Sequence, residues 1–245
     1  MESLSAGTIL HAWESTLGQS ASRRALVLLA IAKPGRPAEE LASWSVPRRD
    51  AELMRLRHTL FGSIIQATAA CPNCRESIEL CFDLRKLTPP ENSSKASGQA
   101  TVDELEISFR LPNTLDLQAI EGLSDTELAR QTLLQRCIEN CVDREGWSHA
   151  AEELSAAAWQ TVARGIAALD DSGGSEVSVR CPSCRFEWPM LFDITAYLCR
   201  ELTVWARRLF REVHILARSY GWAESEILAM PAQRRRAYLD LLGQS

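Results

Sequence analysis

Apolar side chains recur at helical spacing over a long stretch near the C-terminus. Seven of them stand three or four residues apart: Leu198, Leu202, Trp205, Leu209, Val213, Leu216 and Tyr220. This spacing predicts one apolar face on an amphipathic helix of about six turns, with arginines on its other faces. Gly221 follows as a stop signal, because glycine readily adopts the left-handed backbone that ends helices. A short helix and a last helix over residues 231–242 are predicted after it.

Residues 1–60 also have helical spacing. The apolar residues of two predicted helices each fall on one face, namely Ile9, Leu10, Trp13 and Leu17, then Leu26, Leu29 and Ala30. Residues 33–37 (KPGRP) break the pattern, and a further helix is predicted over residues 47–61, with proline tolerated in its first turn. The long C-terminal helix needs a cover for its apolar face, either these N-terminal helices or another protein.

Strict alternation of apolar and polar residues marks the clearest strand. Leu105, Ile107, Phe109 and Leu111 alternate with polar neighbours until Pro112 ends the pattern. Strands are also predicted over residues 63–70 and 176–180. Residues 88–101 are polar and aperiodic, and they are predicted to form a mobile loop.

Two more helices are predicted in the middle of the chain. Ser124 and Glu127 match a capping box, in which two side chains satisfy each other's backbone donors at a helix start. The apolar residues expected on that helix are Leu128, Leu134, Cys137, Ile138 and Cys141. Another helical stretch is predicted over residues 150–169.

Two five-residue segments share the pattern Cys-Pro-x-Cys-Arg. They are residues 71–75 and 181–185, and in both cases Phe-Asp followed by Leu or Ile comes at the same offset, at 82–84 and 192–194. We call each cysteine pair with its turn a knuckle. Proline fixes φ in the turn, and the small third residue lets backbone amides point at sulfur. The matching tails predict an equivalent strand after each knuckle.

Four thiols at this spacing are what a tetrahedral metal ion requires. We expect Cys71, Cys74, Cys181 and Cys184 to bind one structural zinc ion, as two halves of a zinc ribbon split by 106 residues. Loop-closure entropy grows only logarithmically with length, so the insertion does not argue against the site. Zinc is favoured over iron, although four sulfurs also accept rubredoxin-type iron. Because cysteine fills all four positions, no coordination position is left for water, and the metal is predicted to be structural rather than catalytic.

The other cysteines and the histidines give no comparable spacing. Cys81, Cys137, Cys141 and Cys199 are predicted to be buried small apolar residues, with a second metal site at Cys137 and Cys141 as the alternative. The histidines, His11, His58, His149 and His214, are scattered, and no nucleophile elbow, P-loop or dinucleotide fingerprint is present. The chain is therefore predicted not to be an enzyme and to have no small-molecule substrate.

Composition and charge narrow the classes of partner. With 245 residues, 46% of them hydrophobic, the chain can bury one sizeable core or two modest ones. Its net charge of −5 argues against non-specific coating of nucleic acid. The N-terminus lacks a basic region followed by an apolar stretch, and the apolar runs are too short to span a membrane. We expect a cytoplasmic protein with no membrane partner, where reduced thiols favour metal over disulfides.

These patterns predict an α+β fold that is mostly helical. Four regions are expected along the chain, described by number: an N-terminal helical region (1–62), a split zinc ribbon on β-hairpins (63–87 and 176–194), a strand plus helical insertion (102–170), and C-terminal helices (195–245).

Several segments resemble one family of tail proteins. They are residues 214–222 (HILARSYGW), 226–231 (EILAMP), 234–239 (RRRAYL), 46–50 (VPRRD), 60–62 (LFG), 109–112 (FRLP) and both knuckles. They are similar to the baseplate proteins, or baseplate hub assembly chaperones, of T-even-type phages and phage-tail-like contractile injection systems. Ala223 stands where that family has serine before a short helix, which weakens a helix cap.

The resemblance implies a non-catalytic part or assembly factor of a contractile baseplate, with baseplate or tail hub proteins as partners. A second hypothesis is a nucleic-acid-binding zinc ribbon that uses the Arg-rich C-terminal helices. From residue 194 onward the sequence contains eight arginines and five acidic residues. Arg234, Arg235 and Arg236 could contact phosphates or a partner's carboxylates, or simply form a solvated helix face. A third hypothesis is an iron–sulfur electron carrier.

Overall fold

Helices form the larger part of a mixed α and β structure. The computed structural model describes residues 5–88, 96–170 and 176–243, and 57% of these residues are helical. The helices in this part of the chain are α1 (Ala6–Thr16), α2 (Ala21–Ala32), α3 (Ala38–Ser43), α4 (Val46–Phe61), α5 (Thr114–Ile120), α6 (Thr126–Cys137), α7 (Ala156–Leu169), α8 (Ile194–Tyr220), α9 (Glu224–Ala229) and α10 (Ala232–Gly243). The strands are β1 (Ile64–Ala70), β2 (Ser77–Asp83), β3 (Ser97–Val102), β4 (Leu105–Arg110), β5 (Ile138–Val142), β6 (Glu176–Arg180) and β7 (Glu187–Leu191).

The chain divides into two compact units. The terminal unit joins Met1–Ile31 to Thr195–Ser245, and the middle unit is Ala32–Ile194. Within the described ranges, no helix combines the length and the apolar composition needed to cross a membrane. The predicted class, mixed and mostly helical, is confirmed.

The core of the terminal unit forms where α1 packs on α8. Leu10 of α1 packs with the buried Ala206 and Leu209 of α8, and the Trp13 indole Nε1 donates a hydrogen bond to Thr203 at 3.1 Å. The apolar face predicted for the long helix is therefore covered in part by the first helix. This contact removes apolar side chains of both helices from water.

Helix α10 is joined to α8 by an ion pair between a buried arginine and a half-buried glutamate. Arg235 of α10 lies 3.0 Å from the Glu212 carboxylate of α8 and donates to the Met230 carbonyl at 2.7 Å. Arg235 is buried, so the hypothesis that residues 234–236 form a solvated or partner-binding face is wrong for this arginine. Tyr220 stacks on Trp222, and Tyr238 meets both rings edge to face.

The insertion in the middle unit is a three-stranded antiparallel sheet covered by α7. The strand order is β3-β4-β5, and the buried core comprises Ile107, Phe109, Cys141, Leu154, Ala158 and Val162. The strand predicted from the alternation at residues 105–111 is confirmed as β4, the central strand.

Two predictions in this region are wrong, and a third is confirmed except for the position of its start. Residues 97–101 belong to strand β3 rather than to a loop, while residues 89–95 of the predicted loop lie outside the described ranges. Helix α6 ends at Cys137, and residues 138–142 form a strand because Ile138 and Cys141 pack into the sheet core. The helix predicted over 150–169 begins at Ala156, since Ser155 caps it by accepting a hydrogen bond from the Ala158 N–H.

The helix cap predicted before α6 also lies one residue later. Asp125, not Ser124, is the N-cap, and its carboxylate accepts hydrogen bonds from the N–H groups of Glu127 and Leu128. Aspartate caps a helix as well as serine and also suits the positive end of the helix dipole, so the shift has a physical cause.

A buried carboxylate joins β4 to the helices that follow it. Asp116 of α5 accepts bidentate hydrogen bonds from Arg110 at 2.6 and 3.2 Å, and a third from Arg136 of α6 at 3.0 Å. Asp116 and Asn113 also form a capping box. The Val46 N–H donates to the Pro112 carbonyl at 2.8 Å, so the start of α4 is fixed to the same corner.

Candidate metal centre

Each knuckle lies at the turn of a two-stranded antiparallel hairpin. The first hairpin pairs β1 with β2 from Ile64–Asp83 to Ala70–Ser77, and the second pairs β6 with β7 from Glu176–Leu191 to Arg180–Glu187. The equivalent strand predicted after each knuckle is present in both cases. The two hairpins are far apart in sequence, and each delivers two cysteines from its turn.

The two knuckles share the same backbone hydrogen bond and the same left-handed residue. The Arg75 N–H donates to the Cys71 carbonyl at 2.8 Å, and the Arg185 N–H donates to the Cys181 carbonyl at 2.9 Å. Both arginines have left-handed backbone, with φ of 64° and 63°. The sequence pattern therefore repeats as a structural unit, down to a conformation that favours glycine and that arginine adopts at a cost.

The structure brings the four knuckle cysteines together. The Cys71 and Cys184 sulfurs lie 3.6 Å apart, as do those of Cys74 and Cys181. All four sulfurs lie within 4.8 Å of one another. The close pairs each join one hairpin to the other, so the cluster connects the two halves of the repeat.

These separations fit a sulfur-coordinated ion and exclude disulfides. A disulfide requires a sulfur–sulfur distance of about 2.05 Å, and all eight cysteines are free thiols. A tetrahedron with metal–sulfur bonds of about 2.3 Å has edges of about 3.8 Å, close to the shortest separations here. The donor set passes this test for one four-coordinate metal.

Hydrogen bonds already favour the thiolate form at one position. The pKa of Cys184 is lowered to about 6, first because the Asn73 side chain donates to its sulfur and then because the Phe186 backbone N–H does so. For Cys74, the Glu76 backbone N–H lowers the pKa, but desolvation and the neighbouring thiols outweigh it and raise the pKa to about 12. The Cys184 thiol therefore ionises readily, whereas desolvation and the neighbouring thiols disfavour ionisation of the Cys74 thiol. A bound cation would lower the pKa of Cys74 by stabilising its thiolate.

Apolar residues close over one side of the cluster. Cys71, Ile78 and Cys181 are buried together, with Leu80 and Trp188 packed against them. Farther along the hairpins, the rings of Phe82 and Phe192, the equivalent residues of the two repeats, meet edge to face at 5.3 Å between centroids. Sequence identified Asn73 only as a small turn residue and missed the hydrogen bond from its side chain to Cys184. Trp188 and the ring contact were not identified from sequence, although the shared Phe-Asp tail was the signal for the ring contact.

In the described part of the chain, the remaining cysteines form no second group of possible metal ligands. Among the described residues, the four knuckle cysteines are the one group of three or more possible ligands that converges. Cys137 and Cys141 are buried as predicted, and burial raises the pKa of both thiols, to about 11 for Cys137. Cys137 ends α6 and Cys141 lies on β5, so they do not stand one helical turn apart. Cys81 is exposed, contrary to prediction, because it lies on the outer face of β2.

One comparison with known proteins identifies a relationship. The model of a family described as T4 bacteriophage base plate protein matches residues 37–170, just over half of the chain. The match includes the first knuckle and the β3-β4-β5 sheet, and it ends before the second knuckle and before α8. No curated protein and no solved structure is significantly similar to the chain.

Proposed function

This chain belongs to the family of T4 bacteriophage base plate proteins, and from that membership we propose that it is a non-catalytic structural or assembly component of a contractile baseplate. The particle is a phage tail or a phage-tail-like contractile injection system. The partners are other baseplate proteins, including those of the tail hub, and the protein folds in the cytoplasm before assembly. The family match over residues 37–170 is the observation that carries this proposal.

The metal centre has a structural role in this proposal. Zinc bound by Cys71, Cys74, Cys181 and Cys184 holds the two hairpins together as a split zinc ribbon, and the fit of the four sulfurs to a tetrahedron supports it. With four protein ligands the ion has no open position for water or substrate, which agrees with a protein that has no catalytic activity.

Association with tail proteins is the first test. The tagged chain is co-expressed with the baseplate proteins encoded beside it, and complexes are identified by pull-down and native mass spectrometry. We expect a stable complex with at least one baseplate component. Failure to bind every component would contradict the proposal.

Composition of the finished particle separates a structural part from an assembly factor. Mass spectrometry of purified particles detects the chain at a fixed stoichiometry if it is structural. An assembly chaperone is present in baseplate intermediates and missing from the finished particle.

Elemental analysis tests the ion. We expect one zinc per chain and a colourless preparation, and the Cys71→Ser variant should lose the metal whereas Cys81→Ser should keep it. A red preparation with one iron per chain would contradict the zinc assignment and support the iron–sulfur hypothesis.

A further inference from the structure

The exposed side of helix α8 carries five arginines and no exposed carboxylate. Arg200, Arg207, Arg208, Arg211 and Arg218 are exposed to solvent. The two carboxylates of this helix, Glu201 and Glu212, are half-buried, and Glu212 is paired with Arg235. We call the exposed side formed by residues 200, 204, 207, 208, 211, 214, 215 and 218 the α8 basic face.

The charges of the α8 basic face are not compensated within the described ranges. Arg207, Arg208, Arg211 and Arg218 make no ion pair with any described residue. Arg200 lies over the Tyr197 ring, 5.9 Å from its centroid. Unpaired guanidinium groups held on a regular helix are available to an anionic partner, and the helix backbone need not rearrange to bind it.

Four of the five arginines lie in one line along the helix, with Val204 and His214 between them. Arg200, Val204, Arg207, Arg211, His214 and Arg218 stand alternately four and three residues apart, and this spacing places them in one stripe about 27 Å long. Two apolar side chains lie among them, Val204 at 60% exposure and Ile215 at 44%. A stripe of this length matches a second helix lying alongside α8.

We infer that the α8 basic face binds an acidic amphipathic helix of another baseplate protein. Carboxylates of that helix pair with the arginines through two-pronged hydrogen bonds, and its apolar side chains cover Val204 and Ile215. The inference rests on the proposed function for the particle to which the partner belongs. The α8 helix of a second copy is excluded because two identical faces repel each other, and a nucleic acid leaves Val204 and Ile215 against phosphates.

A model peptide tests the chemistry of the face apart from the particle. The probe is a fluorescent amphipathic peptide of about 20 residues, long enough to span the stripe, with glutamates and leucines at helical spacing. We expect the full-length protein to bind it and to bind more weakly as salt rises. The R207E/R211E/R218E variant should lose roughly tenfold or more in affinity, while a peptide with lysine in place of glutamate should not bind.

The matched control reverses three exposed helical arginines elsewhere. The R23E/R130E/R164E variant has the same net charge, and its affinity should stay within about twofold of the original. Circular dichroism and thermal melts confirm that both variants fold. Equal affinity of all three proteins overturns the inference. Tighter binding of a DNA duplex, lost in R207E/R211E/R218E, also overturns it, as does self-association in sedimentation that this variant abolishes.

Capture of baseplate proteins separates the inference from the proposed function. A baseplate component that binds the original protein and the R23E/R130E/R164E control but not R207E/R211E/R218E supports both. If R207E/R211E/R218E still captures the component, the inference about the α8 basic face is overturned and the proposed function is left intact. Peptide binding without capture of any component supports the acidic-helix chemistry and contradicts the proposed function.

Discussion

Asp116 connects strand β4 and helices α5 and α6 through its polar contacts. Its side chain is 1% exposed and accepts hydrogen bonds from Arg110, Arg136 and the Asn113 backbone N–H. Desolvation alone would raise the pKa of this carboxyl, but the hydrogen bonds from Arg110 and Asn113 outweigh it and the pKa is lowered. The carboxylate therefore stays charged in the folded protein.

Replacing Asp116 by asparagine should destabilise the protein by about 2–4 kcal/mol, because a buried ion pair loses one partner. Asp125→Asn is the control, since asparagine caps a helix as well as aspartate. Because the folded pKa of Asp116 is depressed, its stabilisation is present above about pH 4 and is lost as pH falls further. Urea denaturation from pH 7 to 3 checks this, and an Asp116→Asn effect that did not shrink in acid would contradict the assignment.

Arg75 and Arg185 hold a backbone conformation in which a β-branched residue is strained. Arg75→Val should cost about 1–2 kcal/mol, whereas Arg75→Gly should be close to neutral. The control is Arg180→Val on the exposed surface of strand β6, where valine suits the extended backbone. Chemical denaturation of the metal-loaded proteins compares them. Equal effects at positions 75 and 180 would show that the left-handed backbone is not required.

At the scale of elements, helix α7 packs on the sheet at a glycine. A Cβ added to Gly165 would overlap the Phe109 ring, and one added to Gly98 of β3 would lie 3.0 Å from the same ring. The large side chain of the central strand thus occupies space that two small residues leave open, one on each neighbouring element.

Gly165→Ala should therefore destabilise the protein by about 1–3 kcal/mol through overpacking, although alanine favours a helix. Gly7→Ala in the first turn of α1 is the control, because its added Cβ meets only Ser5 Oγ at 3.8 Å. Thermal melts should show a lower midpoint for the first variant and an unchanged or higher one for the second. Stabilisation by Gly165→Ala would contradict the packing described here.

The elements that sequence predicts well are those with a strong local signal. The alternation around Ile107 and the stripe along α8 each specify one buried face, and both elements are confirmed. Strand β3 escapes prediction because its residues, SGQATV, are small or polar and gain their order from pairing with β4. The sequence predicts a helix at Cys141 for a similar reason, because the strand with which Cys141 pairs is far away in sequence.

At the scale of the whole molecule, the metal centre should decide whether the two hairpins stay joined. Structural zinc contributes about 10–16 kcal/mol in small peptides, so Cys71→Ser or Cys181→Ser should lower the melting temperature strongly and abolish its sensitivity to chelator. Cys199→Ser and Cys81→Ser should have small effects, because neither thiol belongs to the cluster. Melts with and without chelator test this. Equally small losses in all four variants would contradict a structural metal.

Sequence predicts the meeting of the four thiols because two copies of one motif share one chemistry. It predicts the joining of the first helices to residues 195–245 only as one of two alternatives, since the choice depends on contacts such as Leu10 with Leu209. It does not reveal the Arg235–Glu212 pair, in which an arginine in a run of three is buried rather than exposed.

The order of the cysteines along the chain has a mechanical consequence. Residues 75–180 all lie between Cys74 and Cys181, the two inner cysteines of the cluster. If the four thiols bind a metal ion, tension that pulls β1 away from β7 passes through the metal–sulfur bonds and bypasses residues 75–180. The β3-β4-β5 sheet and helices α5, α6 and α7 then carry no load until a metal–sulfur bond breaks. They can therefore keep their shape while the chain on either side of this interval is under tension.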